Sequence, residues 1–293
     1  MTLFITVLIN GCILGSVYAL VAMGLNTQYG VARILNIAHG EFIILASFIT
    51  LDVVTRMGLH PLIGLAIAGP VIFAISFGLH RTLYKRVKDI SANDGAFEGN
   101  AILVAFGLYF IVQNLMQTNW GSDTKGYQFM AYSVKLGGGE NPVAIAAGSL
   151  VVFVIAVAIC ILYTLFLTHT RLGKSIRAAA QDPAAAALLG VRINTIMASC
   201  FAIGGLLAAC AGVLISMKEP FTSVSGLGYT TIAIIIVVLG GLGSVKGAIL
   251  GGFILGFVGF AVSTYIDTGF MLSVFYLIVL VLLIVRPKGL LGR

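Results

Sequence analysis

The segment NIAHGEF, residues 36–42, holds a dense group of side chains able to do chemistry. It brings Asn36, His39 and Glu41 to the start of an apolar run. If that run crosses a bilayer, an imidazole and a carboxylate there are costly to bury and functional by default. A structural role stays open, because Glu41 near a helix N-terminus is favoured by the helix dipole and Asn36 can cap that helix. Arg33 is also close enough in sequence to neutralise charge.

A second short motif, GKS at Gly173, Lys174 and Ser175, matches the end of a phosphate-binding loop. The full pattern needs a glycine five positions earlier, in a turn between a strand and a helix. Thr168 occupies that position and ends an apolar run. We therefore reject nucleotide binding by this segment, and any use of ATP requires another chain.

Catalytic and metal-binding motifs are not recognisable in the sequence. Serine and histidine residues do not converge in a known motif, and the four histidines are scattered at the ends of apolar runs. An intramembrane enzyme needs a nucleophile with a base, and a metal site needs several ligands at suitable spacing. The sequence therefore predicts no catalytic residue, no metal site and no cofactor.

The composition indicates that membrane-spanning helices position these residues. Of the 293 residues 59% are hydrophobic and only 9% are charged, which is far from the composition of soluble domains. Apolar runs near the ~20 residues needed to cross a bilayer recur along the chain. We predict an all-α polytopic membrane protein that forms one domain over residues 1–293, in contact with lipid. The net charge of +7 follows from the topology below and gives no reason to expect nucleic acid.

Nine apolar runs are candidate membrane spans. They lie near residues 3–25, 41–55, 61–79, 101–117, 143–167, 195–217, 229–244, 247–266 and 269–285. The second is short, and only GLGSVKG separates the seventh from the eighth. Eight spans with one re-entrant or broken helix therefore fit almost as well, so the fold class is 8–9 transmembrane helices.

Basic residues indicate the orientation. If the connectors alternate sides, 13 of the 17 basic residues fall on one side: Arg33, Arg81, Lys85, Arg86, Lys88, Arg171, Lys174, Arg177, Arg192, Lys246, Arg286, Lys288 and Arg293. By the positive-inside rule this side is cytoplasmic. The rule places the C-terminus inside and, with nine spans, the N-terminus outside. Trp120, Tyr127 and Tyr132 then fall in the longest outer loop.

One inner connector, residues 168–194, is rich in helix-forming residues rather than loop residues. Residues 171–180 predict a helix. Asp182 can cap a second helix, Pro183 suits its first position, and Gly190 can end it in the left-handed conformation. Because this second helix has barely two turns, it must lean on another surface. That surface is either a partner or the protein's own inner face.

Three motifs together resemble the membrane permeases of ATP-binding-cassette importers for branched-chain amino acids, of the LivH type. They are NIAHGEF at 36–42, GKSIRAAAQDPAAAALLGVRIN at 173–194 and LGGLGSVKGAILGG at 239–252. The resemblance covers essentially the whole chain. It implies a bacterial inner-membrane complex with two ATP-binding cassette subunits, a second and usually different permease, and a solute-binding protein outside.

The resemblance also implies roles for particular residues. The inner connector is implied to be the coupling segment that docks on an ATP-binding subunit, through Arg171, Gly173, Lys174, Arg177, Gln181, Asp182, Pro183 and Gly190. The basic residues among them can instead enforce orientation or touch anionic lipid. The expected pathway or gate residues are Asn36, His39, Glu41, Gly240, Gly241 and Gly243.

The glycines have a physical role independent of the resemblance. Gly240, Gly241 and Gly243 permit a break between two apolar runs. Glycine pairs four residues apart, at 247/251, 252/256 and 11/15, favour close helix contact. Tight packing without any contact to a transported solute is an open alternative for all of them.

Two functional classes follow. The first is an importer subunit without covalent chemistry, carrying branched-chain amino acids or, as an alternative, urea or short amides. The second is an ion-coupled secondary transporter. Such carriers usually hold acidic residues deep within spans, whereas Asp52 and Asp267 lie near span ends, which favours the importer.

Overall fold

A computed structural model of the chain describes residues 2–136 and 143–292. Arg293, which the charge pattern assigns to the cytoplasmic side, lies outside these residues. The elements in chain order are α1 Thr2–Ala32, α2 His39–Thr55, α3 Pro61–Leu79, α4 Lys85–Ile90, α5 Asp94–Trp120, β1 Ser133–Leu136, β2 Val143–Ala146, α6 Ala147–His169, α7 Arg171–Gln181, α8 Pro183–Leu188, α9 Ile193–Lys218, α10 Gly226–Gly240, α11 Val245–Tyr265 and α12 Met271–Val285.

Each of the nine predicted apolar runs contains a helix. Among the described residues, seven helical segments are long and apolar enough to cross a membrane. The other two runs form α2, with 17 residues, and α10, with 15. The predicted all-α polytopic fold is confirmed, and α2 and α10 are the short helices that the sequence left ambiguous.

The third span is longer than predicted. The prediction of a connector directly after residue 79 is therefore wrong, because residues 80–90 are helical. The helix does not stop at Leu79 but continues through a π-helical turn, His80–Tyr84, into α4. No glycine or proline interrupts residues 79–90, so nothing ends the helix there. The chain turns only afterwards, and Asn93 accepts a hydrogen bond from Ala96 N to cap α5.

The fifth apolar run does not begin as a helix. Residues 143–146 form β2, which pairs antiparallel with β1 so that Val134 lies opposite Ile145. The backbone N–H of Ala147 then donates to the Tyr132 carbonyl at 3.0 Å as α6 starts. The predicted span from residue 143 is therefore corrected to begin at Ala147. The alternating side chains of VAIA suit a strand as well as a helix end.

Glycines bring α1 and α11 into close contact, the kind of contact that the glycine spacing predicted without naming the partner helices. A Cβ on Gly15 would lie 2.8 Å from the Phe253 Cα, and a Cβ on Gly252 would lie 2.5 Å from the Ala19 Cα. Gly256 likewise meets the backbone of Gly15. Backbones this close leave no room for side chains, which is how small residues join membrane helices.

Two sets of contacts tie connecting segments to the ends of helices, one at each end of the bundle. At one end, Leu290 N donates to the Leu239 carbonyl, which ties the C-terminal segment to the end of α10. The same end carries α7, which packs against α1 and α9. At the other end, Trp120 Nε1 donates to Asp52 Oδ2 at 3.1 Å.

Candidate functional site

Helix α7 lies against the end of the bundle through one face. Gly173, Ile176 and Ala179, spaced three residues apart, are its buried residues. Thr170 Oγ1 accepts from Gly173 N at 3.0 Å and caps the helix. A Cβ on Gly173 would overlap the end of α6 near Leu167, so only glycine permits this sharp turn into α7.

Helix α8 begins and ends as the sequence predicted. Asp182 Oδ1 accepts from Ala184 N at 2.9 Å and from Ala185 N at 3.0 Å. Pro183 is the first helical residue, and Gly190 has a positive φ of 85°. These contacts make α7 and α8 a defined pair of helices rather than a loop.

The outer surface of this helix pair combines polar groups with exposed leucines, of which Leu188 and Leu189 are by far the most exposed. Leu188 is 90% exposed and Leu189 is 84% exposed, beyond the one buried residue of α8, Ala186. The predicted coupling residues other than Gly173 are all exposed: Arg171, Lys174, Arg177, Gln181, Asp182, Pro183 and Gly190. We call this surface, residues 171–190, the α7–α8 face.

A second group of polar residues lies where the first turns of α2 and α10 meet. Thr230 Oγ1 accepts from Gly40 N at 2.8 Å and donates to the Ile37 carbonyl at 2.9 Å. A Cβ on Gly40 would overlap the backbone of Gly226. The two short helices are therefore locked together at their N-terminal ends, and we call this contact the α2–α10 junction.

The junction lies inside the bundle rather than at its surface. His39 Nε2 donates to the Val21 carbonyl at 3.1 Å, and Val21 precedes the end of α1 at Ala32 by eleven residues. At 1.5 Å per residue this corresponds to about 16 Å along α1. Residues 33–38 thus return the chain into the bundle before α2 begins, and the second span is a short helix that starts at depth.

The three polar residues predicted in this segment are all fully buried. Asn36, His39 and Glu41 each have 0% exposure. Both carboxylate oxygens of Glu41 lack a hydrogen-bond partner among the described residues, as do His39 Nδ1 and Asn36 Nδ2. A Cβ on Gly226 would overlap the Glu41 carboxylate. Glu41 therefore lies in the first turn of α2 and also faces the first turn of α10. The dipoles of both helices favour a negative charge at their N-terminal ends.

Two structural expectations for this segment are wrong. Asn36 does not cap α2: its Oδ1 accepts from Ala38 N at 3.2 Å, while Ala38 itself precedes the helix. Arg33 does not neutralise Glu41, because its guanidinium lies 5.8 Å from the centre of the Tyr29 ring and the side chain is exposed. The reason is the return of residues 33–38 into the bundle, which separates the two side chains.

The predicted glycine break follows α10 directly. Gly241 and Gly243 have positive φ values of 102° and 82°, which side chains with a Cβ rarely adopt. Asn26 Oδ1 accepts from Gly243 N at 2.8 Å and fixes the turn to α1. Gly240 packs against the Gly247 backbone. The break therefore lies at the same end of the bundle as the α7–α8 face, away from the α2–α10 junction.

Sequence reasoning missed two contributors to these sites. Thr230 gave no signal, since threonine in an apolar run is ordinary and its partners are about 190 residues distant. Leu188 and Leu189 did give a signal: two large apolar residues directly after a run of alanines in a polar connector.

Comparison with known proteins agrees with this architecture. Residues 7–286 match the family described as "Branched-chain amino acid transport system / permease component". The chain is 34% identical to BraD of Pseudomonas aeruginosa, a high-affinity branched-chain amino acid transport system permease protein, over 98% of this chain and 95% of BraD. It is 30% identical to LivH of Salmonella typhimurium, over 99% of this chain and 96% of LivH. The solved structure of PsaBC from Streptococcus pneumoniae in complex with Fab shares the fold, with a TM-score of 0.50, 15% identity and coverage of 95% of this chain and 91% of that one.

The fold and its comparisons define a multi-pass α-helical membrane permease. The chain belongs to the family of permease components of branched-chain amino acid transport systems.

Proposed function

We propose that this chain is the pore-forming subunit of an ATP-driven importer of branched-chain amino acids. In this assembly two ATP-binding cassette subunits hydrolyse ATP, a second permease subunit completes the pathway, and a solute-binding protein delivers the amino acid from outside. The chain itself acts as one permease domain without covalent chemistry or cofactor. It sits in the bacterial inner membrane with the α7–α8 face and the C-terminus in the cytoplasm.

The observation that carries the proposal is the α7–α8 face. A six-residue helix is too short to persist by itself in water, yet α8 is capped at its start and presents Leu188 and Leu189 outward. Exposed apolar residues rimmed by charged ones are typical of protein interaction sites. Arg171, Lys174 and Arg177 are exposed on α7 of the same face and suit acidic groups on an ATP-binding subunit.

The translocation pathway is proposed to run along α10. Leu227 and Gly228 are exposed and Thr231 is partly exposed on one face of this helix, so a second permease subunit can complete a channel there. The gate is assigned to the α2–α10 junction with Asn36, His39 and Glu41. Full burial of all three residues supports their assignment to a gate in its closed form. Gly240 ends the same helix, and Gly241 and Gly243 form the break that follows it on the proposed inner side.

The substrate class is supported by the relatives, because BraD and LivH are both named for branched-chain amino acids. Both match nearly the full length of this chain. Urea and short amides are the alternative cargo of the same importer class. They differ from leucine in lacking a carboxylate and a branched apolar side chain.

One observation favours a second candidate, an ion-coupled carrier. Acidic residues deep within the membrane are typical of such carriers, and Glu41 is buried at depth with no hydrogen-bond partner among the residues that the structure describes. In this alternative Glu41 would carry the coupling ion or proton, and transport would not require ATP.

The test is uptake into proteoliposomes that contain this chain with its ATP-binding subunits, second permease and binding protein. Labelled leucine, isoleucine and valine should enter only with ATP, and unlabelled urea or acetamide in excess should not compete. Competition by urea would contradict the proposed substrate and favour urea or short amides. Uptake driven by a proton gradient without ATP would contradict the importer class and favour the ion-coupled carrier.

A further inference from the structure

A polar cavity lies at the end of the bundle opposite the α7–α8 face. It forms where the loop after α5 and the loop after α9 pair through Lys125 and Phe221, whose backbone N–H groups each donate to the other's carbonyl at 2.9 Å. The cavity has a volume of about 360 Å³. Pockets for small molecules begin at about 300 Å³. Its lining residues are Thr124, Lys125, Gly126, Tyr127, Gln128, Lys218, Glu219 and Pro220.

The charges of the cavity suit a ligand with both a carboxylate and an ammonium group. Lys218 Nζ lies 3.1 Å from Glu219 Oε2 and pairs with that oxygen, while Glu219 Oε1 accepts only from the neutral Tyr229 hydroxyl among the described residues. Within the described part of the chain, the Lys125 ammonium has no ion-pair partner. The cavity thus offers the Lys125 ammonium to a carboxylate and Glu219 Oε1 to an ammonium group.

The remaining wall combines the polar residues Thr124 and Gln128 with an apolar part. Tyr127 bonds Ser216 through its hydroxyl at 3.0 Å, which leaves its ring to face the cavity. Burial raises the pKa of the Tyr127 phenol, so that it remains neutral. Pro220 packs on Gly126, where an added Cβ would lie 3.4 Å from the proline. A ring and a proline give a small apolar surface beside the charged groups.

We propose that this cavity is a receiving site for a free zwitterionic amino acid on the outer side of the membrane. Lys125 takes the carboxylate, Glu219 takes the ammonium group, and Tyr127 with Pro220 contacts the aliphatic side chain. The inference rests on the proposed importer function and adds to it a binding site within the permease itself.

The site is joined to the proposed gate by a short series of contacts. Tyr229, in the first turn of α10, donates to Glu219 Oε1 at 2.8 Å. The next residue, Thr230, holds Gly40 and the Ile37 carbonyl at the α2–α10 junction. An ammonium group that engages Glu219 competes with the Tyr229 hydroxyl for the same carboxylate. Occupancy of the cavity therefore acts on the helix that closes the pathway.

The experiment measures equilibrium binding of labelled L-leucine to the complete transporter in nanodiscs, with the solute-binding protein left out. Saturable binding is expected, and both isoamylamine and 4-methylvalerate should compete poorly because each lacks one charged group. Lys125→Met should weaken leucine binding at least tenfold, while Lys125→Arg should retain it. Lys135→Met, which removes a lysine from β1 outside the cavity, is the matched control.

Three results would contradict the proposed site. One is that the wild-type transporter binds no leucine. The others are that Lys135→Met weakens leucine binding as much as Lys125→Met, or that a folded Lys125→Met transporter binds leucine like the wild type. A further outcome is that the wild-type transporter binds no leucine but Lys125→Met loses its association with the solute-binding protein. The cavity would then be a docking surface, and the proposed amino-acid site would be overturned. Uptake through the whole complex tests the importer function separately: uptake without leucine binding rejects the site alone, whereas no amino-acid uptake rejects the function.

Discussion

Replacing the two leucines at the end of α8 should release this permease from its ATP-binding subunit. Leu→Ala removes three carbon atoms, each worth about 0.8 kcal/mol when buried. Because Leu188 and Leu189 are 90% and 84% exposed, nearly the whole of each side chain is available for burial in a partner. Each substitution should therefore cost about 2 kcal/mol of association free energy, roughly 30-fold in affinity.

The same substitutions should leave the permease itself intact. Side chains so exposed make few contacts within the chain, and surface changes of this kind shift the free energy of unfolding by about 0.5 kcal/mol or less. The double variant Leu188→Ala, Leu189→Ala should therefore insert and unfold like the wild type. Its affinity for the ATP-binding subunit should fall at least a hundredfold, less than the product of the single effects if the neighbours couple.

The assay is titration of purified ATP-binding subunit onto the permease in nanodiscs, with transport-stimulated ATP hydrolysis measured in parallel. Ile90→Ala is the matched control, because Ile90 is 75% exposed at the end of α4 and lies outside the α7–α8 face. Unchanged affinity in the double variant, or an equal loss in Ile90→Ala, would refute the assignment of these leucines to the interface.

Three further substitutions test other contacts. Asp182→Ala removes the cap from α8 and should cost about 1 kcal/mol of local stability, visible as faster hydrogen exchange at residues 184–189 and reduced coupling of ATP hydrolysis to uptake. Gly252→Leu should separate α1 from α11 and lower the thermal unfolding temperature in detergent, whereas Gly228→Ala, with open space around it, should not. Thr230→Val leaves Gly40 N and the Ile37 carbonyl unpaired and should destabilise the protein by about 1–3 kcal/mol in denaturant unfolding.

The sequence allowed the helices to be predicted because membrane spans are specified locally. Each backbone group must be satisfied within its own helix, so an apolar run of sufficient length is enough to recognise a span. The ends of α8 were equally local, since Asp182, Pro183 and Gly190 act on the next few residues. The glycine contacts of α1 with α11 were visible as spacing, although the pairing of those two helices was not.

The contacts inside the bundle could not be predicted from such local patterns. The depth of Glu41 depends on the return of residues 33–38 and on Thr230 in a distant helix, and no pattern around Glu41 encodes either. The cavity at Lys125 and Glu219 arises where two loops almost one hundred residues apart pair with each other. Sequence patterns identified the chemical groups there, but only the packing of the helices decided which groups meet.

Helix α9 is the element that can connect the two ends of this permease. It starts at Ile193, a few residues after α8, and ends at Lys218 in the outer cavity; its 26 residues span about 39 Å at 1.5 Å per residue. Gly204 and Gly212 let its backbone touch α1 and α2 directly, so α9 cannot move without moving those helices. A helix with backbone contacts of this kind behaves as a rigid body rather than a deformable one. Force applied to α8 by an ATP-binding subunit would therefore reach the α2–α10 junction through α9 and α2, while an amino acid in the outer cavity would reach the same junction through Tyr229 and α10.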